Sequence, residues 1–163
     1  MQEDARSPAE FAADIDAARE RLTGFVSGCT DAQWHSAPLH GDPRPVGVVV
    51  DHVADSYEYF VAWINQIVAG QPVEIDGEIV DALNAEHASE AASVSRAEAA
   101  DHLRRSGAAI SGLIAGLSPA DLEAGDGRVQ RLAQIAIRHA DDHRSEIETA
   151  LAAAPAGTAD QAG

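Results

Sequence analysis

The sequence predicts an all-α protein folded as a four-helix bundle, and three observations carry that expectation. Apolar residues recur at spacings of three and four nearly throughout, the period of helices with one buried face. The composition is rich in Ala and only 4% aromatic. Helix-start signatures, a Ser or Thr followed three residues later by an acid or its amide, open one segment after another along the chain. At 163 residues the length suits one domain, expected over residues 1–154. Such a domain buries roughly 70% of its unfolded surface and needs no disulfides.

Taken in order, Ser7-Pro8-Ala9-Glu10 supplies an N-cap, a proline at the first helical position and a Glu at N3. Phe11, Ile15, Ala18, Leu22 and Phe25 then mark the buried face of a first helix ending near Gly28. Thr30-Asp31-Ala32-Gln33 is a second capping box, opening a short turn that carries Trp34. The stretch from Ala37 to Pro45, with its prolines and a glycine, is expected to be a loop. A long helix from about Pro45 to Ala69 follows, striped by Val49, His52, Val53, Ser56, Phe60, Trp63 and Ile67. Gly70-Gln71-Pro72 stops it, and residues 73–94 hold one shorter helix in a crossover. Ser95-Arg96-Ala97-Glu98 opens a helix reaching about Leu117, buried through Leu103, Ile110, Leu113 and Leu117. Ser118-Pro119-Ala120-Asp121 begins another short turn, and Gly125-Asp126-Gly127 breaks the chain before a last helix from Arg128 to about Ala154. The small, polar tail 155–163 is expected to be disordered. Four substantial helices with connections of mixed length fit a bundle, whose cofactor and metal sites form between facing helices.

Charge and cysteine usage narrow the function. There are 27 acidic against 11 basic residues, a formal charge of −16. That surface repels phosphate backbones and anionic lipid, so neither nucleic acid nor a membrane is an expected partner. No apolar run approaches a membrane span, and the polar, acidic N-terminus is unlike a signal peptide. All 11 basic residues are Arg, which excludes Schiff-base and P-loop lysine chemistry. The single cysteine, Cys29, provides neither a disulfide framework nor a Cys-based zinc site, and suits a reducing, cytoplasmic setting. It ends a helix without a basic neighbour in sequence and reads as a small buried filler.

The histidines are the chemically informative residues. On the last helix the inward stripe reads Val129, Leu132, Ala136, His139, His143, Ile147 and Ala150. An i, i+4 pair has its Cβ atoms roughly 5–6 Å apart, close enough for both rings to reach one ion. His52 occupies the inner stripe of the long central helix. Three inward imidazoles close three corners of a tetrahedron and leave a fourth for water or substrate, the arrangement of a catalytic rather than a structural site. The competing reading is that each is a core histidine satisfied by a backbone carbonyl. HADDH has the spacing of the metalloprotease HExxH helix, but Ala140 stands where the catalytic Glu is required, so proteolysis is not expected.

RPVGVVVDHVADSYEYF, with His52, resembles the central-helix signature of the DinB/YfiT-like superfamily, and IAIRHADDHRSEIETAL resembles its last helix with the paired histidines. The short Trp34 turn and LNAEHA in the crossover are similar to the subgroup related to mycothiol-dependent maleylpyruvate isomerases. The resemblance runs from about Phe11 to Leu151. It implies a four-helix bundle holding a divalent metal, zinc or nickel, on His52, His139 and His143. It also implies transfer or isomerisation chemistry on a small-molecule substrate with mycothiol or another low-molecular-weight thiol, and a homodimer.

Around that trio, Asp55 is either a partner that orients the His52 ring or a solvated carboxylate. Asn84 and His87 sit in the crossover and are candidates for lining the cofactor pocket. Tyr57, Tyr59 and Trp63 read as packing, and His35, His40 and His102 as exposed. Three functions stay open: a metal-dependent thiol S-transferase or isomerase, a metal-assisted hydrolase using bound water, and a non-catalytic, dimeric stress-response binding module.

Overall fold

A computed structural model describes residues 6–37 and 42–153, and helix is the only regular secondary structure among them. The elements are α1 (Pro8–Gly28), α2 (Asp31–His35), α3 (Val46–Val68), α4 (Gly77–Glu90), α5 (Arg96–Ala115), α6 (Pro119–Leu122) and α7 (Ala124–Ala153). The four long helices form the expected bundle. α1 packs on α5 and α7, and α3 packs on the same two, so α1 and α3 face each other across the core. The short α2, α4 and α6 are connections rather than layers. The tail 155–163, the residues 38–41 of the expected loop, and His40 with them lie outside the described residues.

Each helix begins where its local chemistry dictates. Ser7 Oγ accepts from the Glu10 amide at 3.3 Å while the Glu10 carboxylate accepts from the Ser7 amide at 2.7 Å. Thr30 with Gln33, Ser95 with Glu98 and Ser118 with Asp121 make the same reciprocal pair at the starts of α2, α5 and α6. Every box satisfies N-terminal amides that have no partner inside the helix. α3 lacks a side-chain cap; its first amide, from Val46, donates instead to the Ser36 carbonyl at 2.8 Å. The expected break before the last helix is a run of left-handed backbone, with φ of 62° at Gly125, 57° at Asp126 and 75° at Gly127. Glycines flanking an Asp suit it because only they and Asn or Asp adopt that region at small cost.

The core is filled by Phe11, Ile15, Leu22, Tyr57, Ile64, Leu103, Ile110, Ile114 and Ile147, all fully buried, each contributing about 1.5–3 kcal/mol of apolar burial. Two expected stripes shift by a residue. Val26 rather than Phe25 closes the α1 face, and Ile114 rather than Leu113 is the deep position on α5, Leu113 and Leu117 being half-buried. A third shift matters more for the site. The deepest positions on α7 are Val129, Ala133, Ala136, Ala140 and Ile147, so His139 and His143 lie on the flank of the buried stripe and not along its centre. α3 is the most enclosed helix, buried on almost every side from Val46 to Ala54. Trp34 of α2 braces its start. The indole packs so closely on Gly47 that a Cβ there would lie 2.6 Å from the ring, and its Nε1 donates to the Val94 carbonyl at 2.9 Å.

Candidate metal centre

α3 and α7 pack side by side, and their contact brings the three predicted imidazoles together. Ring centroids are 4.9 Å apart for His52 and His139, 5.4 Å for His52 and His143, and 4.6 Å for His139 and His143. One ring nitrogen from each lies within 4.8 Å of the other two. His52 Nε2 and His139 Nε2 are 3.0 Å apart, near the separation of about 3.4 Å that two nitrogens have around a tetrahedral ion with 2.0–2.1 Å bonds.

The hydrogen-bond accounting shows that these rings are short of partners. Ser56 Oγ donates to the His52 carbonyl at 2.8 Å, so at 3.2 Å from His139 Nε2 it offers only lone pairs. Only one hydrogen fits between His52 Nε2 and His139 Nε2. His52 Nδ1 and His143 Nδ1 are buried without a hydrogen bond among the described residues. His143 Nδ1 lies 3.5 Å from Glu146 Oε2, an ion-pair distance that is too long to satisfy it. Buried imidazole nitrogens without partners are costly, and one cation would take a lone pair from each ring, although His52 Nδ1, on the far side of its ring from His139 Nε2, would stay without a partner.

The electrostatics suit such a cation. Burial, then the neighbouring His139 and His143, push His52 down to about 2. Burial, then His143 and Arg44, push His139 down to about 4. His143 is lowered chiefly by burial, against the opposing pull of Glu146. All three rings are therefore neutral near pH 7, the form in which imidazole ligates. Arg44 beside the trio helps keep the rings unprotonated; its charge would oppose a cation but is offset by Asp42, 2.8 Å from its Nη2 just before α3.

A chamber of about 240 Å³ opens onto His52, Ser56 and His139. Its walls come from Tyr59, Phe60 and Trp63 of α3, Leu132 and Ile135 of α7, and Ile75, Val80, Leu83 and Asn84 in and before α4. Asn84 thus lies where a pocket residue was expected. Tyr59 and Trp63, read as packing, are chamber walls; Tyr57 is the packing residue, fully buried with its hydroxyl unpartnered. Ser56 was recognised only as a stripe position, although its place four residues after His52 put it on the same helix face. Asp42 and Arg44 were not singled out, because a loop's return toward a helix leaves no periodic trace in sequence.

An adjoining face of α3 holds a second histidine cluster. Asp51 accepts from His87 Nε2 at 2.8 Å and from His102 Nδ1 at 2.9 Å, and His102 Nε2 lies 3.1 Å from Glu58. His102 is therefore not exposed as expected: carboxylates face both of its nitrogens, and the hydrogen bond to Asp51, outweighing burial, raises its pKa. Burial works to raise Asp51 as well, but His102 and His87 outweigh it and hold the carboxylate well below its usual range. His87 lines a polar cleft with Asp51, Asp55 and His102 rather than the apolar chamber. Asp55 makes no hydrogen bond to His52, whose Nδ1 has no partner. Three residues along a helix turn its side chain about 60° away from His52, toward that cleft. There burial raises its pKa. Cys29 is buried and its thiol is pushed up by burial, which fits a packing role.

No helix among the described residues is long and apolar enough to cross a membrane. Comparison with curated proteins and with solved structures finds no significant match. A family profile, described as the DinB superfamily, matches residues 14–147. That span contains all four bundle helices or most of each, and all three converging histidines. The chain belongs to the DinB superfamily.

Proposed function

We propose that this protein is a metal-dependent thiol S-transferase or isomerase. A divalent cation, zinc or nickel, is held by His52, His139 and His143, and a mycothiol- or bacillithiol-type molecule supplies the thiol. The observation that supports it is the convergence of three neutral imidazoles within 4.8 Å of one another. A trio of this kind leaves a coordination position for an exogenous ligand. When bound, such a cation supplies Lewis acidity that keeps a coordinated thiol ionised at neutral pH. The chain's own residues do the rest. The histidines fix the cation's place, Ser56 sits against His139, and the apolar walls around Phe60 and Trp63 keep water from a carbon electrophile. Asn84 offers an amide to the substrate. The nearness of LNAEHA to the mycothiol-dependent subgroup points to the same chemistry.

The lining favours a thiol over water as nucleophile. No Asp or Glu borders the chamber, and the Ser56 hydroxyl hydrogen is committed to a backbone carbonyl, so a water-based hydrolase lacks its general base there. The test is incubation of zinc- or nickel-loaded protein with mycothiol, bacillithiol or glutathione and monochlorobimane as electrophile. Turnover above the metal-free control with at least one thiol, and none without thiol, is expected. No turnover with any thiol defeats the proposal. His139→Ala separates an enzyme from a binding module: retained folding with lost turnover marks the first, a large drop in Tm with no catalytic change the second.

A further inference from the structure

The chamber beside the histidines has a chemistry of its own, independent of what the imidazoles hold. Charged residues make up 23% of the chain, yet no Asp, Glu or Arg lines this cavity. Its strongest polar groups, His52, His139 and Ser56, lie together, and Asn84, the Tyr59 phenol and the Trp63 indole are the other polar side chains of its lining. The remaining surface is aliphatic or aromatic. Trp63 stacks on Tyr59 with ring planes 29° apart, so a flat indole forms part of the wall. At about 240 Å³ the space exceeds the ~150 Å³ apolar cavity that accepts benzene, leaving room for ring substituents but not for a second large ring. A charged group entering it would shed water and find no counter-charge among the walls. A neutral ring would gain from burying the faces it lays against these apolar walls.

We propose that the side chains of the chamber bind a neutral, ring-sized apolar molecule, its polar head at the histidine end, in preference to the corresponding carboxylate. Any role for that molecule as substrate rests on the metal-thiol reading above, whereas the preference of the chamber does not. Ile135, 40% exposed, stands at the rim and admits a substitution that changes the wall without touching the core.

The test uses the full chain treated with chelator and titrated by calorimetry with 4-chlorobenzyl alcohol and with 4-chlorobenzoate, which share a ring and differ in charge. The alcohol is expected to bind at least tenfold more tightly than the acid. Ile135→Asp should weaken the alcohol at least tenfold and leave zinc affinity, read by competition with a chromogenic chelator, unchanged. His143→Ala, outside the chamber, should abolish zinc binding and leave the alcohol within threefold. Equal or tighter binding of the acid, no saturable binding of the alcohol, or indifference to Ile135→Asp would overturn the proposal. So would a dimer that Ile135→Asp dissociates without altering alcohol affinity, because the rim would then be a protein interface. Failure of the metal reading shows separately, as absence of zinc binding in the unsubstituted protein.

Discussion

Two histidine clusters sit on adjoining faces of α3, the His52 and His87 ring centroids 5.9 Å apart, and they are built on opposite principles. His87 and His102 face carboxylates: Asp51 takes a nitrogen from each and Glu58 takes the second nitrogen of His102. His52, His139 and His143 face one another, with Ser56 3.2 Å from His139 and the Glu146 carboxylate no nearer than 3.5 Å to His143 Nδ1. The first cluster joins α3, α4 and α5 through hydrogen bonds that are already complete except at His87 Nδ1. The second is short of partners at several nitrogens, and its pKa values are driven down instead of up. The candidate metal site is therefore marked by what its imidazoles lack.

The largest expected effect breaks the comparison at its centre. His52→Ala or His139→Ala should lower affinity for zinc or nickel by more than about 100-fold, because each removes a proposed direct ligand, a heavier loss than the 10–100-fold typical of an outer partner. His102→Gln should leave metal content unchanged. Elemental analysis of the purified proteins reads both. Metal retained by His139→Ala, or lost from His102→Gln, would mean that the two clusters have been assigned the wrong way round.

A second effect is the acid sensitivity of the metal-free protein. His139, held at about 4, and His52, held at about 2, stay neutral in the fold, whereas an unfolded chain protonates both below about 6.5. The unfolded state then binds more protons, so stability falls as pH drops from about 6.5 toward 4, by up to ~1.4 kcal/mol per pH unit for each such ring. Urea denaturation in the presence of chelator should show this slope, and His52→Ala should flatten it. An unchanged slope in that variant would place the acid-sensitive groups elsewhere.

How far the sequence foretold this arrangement differs between the two clusters for a physical reason. The bundle and its boundaries were legible because capping boxes and a 3.6-residue period are local signals, as Ser7, Ser95 and Gly125-Asp126-Gly127 show. The trio was legible too: His139 and His143 share a face by spacing, and His52 lies on an apolar stripe. His102 was misread because its neighbours Asp101 and Arg104 are polar and exposed, while the partners that enclose it, Asp51 and Glu58, come from another helix. Asp55 was offered to His52 on proximity along the chain, but three residues of helix turn it toward the polar cleft. The chamber was hidden for the same reason, since Leu83 and Leu132 border one cavity only once α4 and α7 both pack on α3.

The smallest effect sharpens the carboxylate-bound side. His102 has its pKa raised by the Asp51 hydrogen bond, so its contribution is fully present below about 6.5 and is lost as pH rises through the folded value. Asp51 is depressed, so its contribution is present above about 3.9 and is lost only as pH falls through its lower folded value. The two windows overlap from about pH 4 to 6.5, where the charged hydrogen bond is intact. His102→Gln should therefore destabilise the metal-free protein by about 1.5 kcal/mol at pH 6, and by clearly less at pH 9, where the ring it replaces has lost its charge. The slope has the opposite sign to that of the trio, which weakens toward acid, so denaturation at pH 6 and pH 9 separates the two clusters within one protein. A His102→Gln penalty that is equal at both pH values would mean that the ring acts there by shape and neutral hydrogen bonding alone, and the electrostatic contrast between the clusters would be lost.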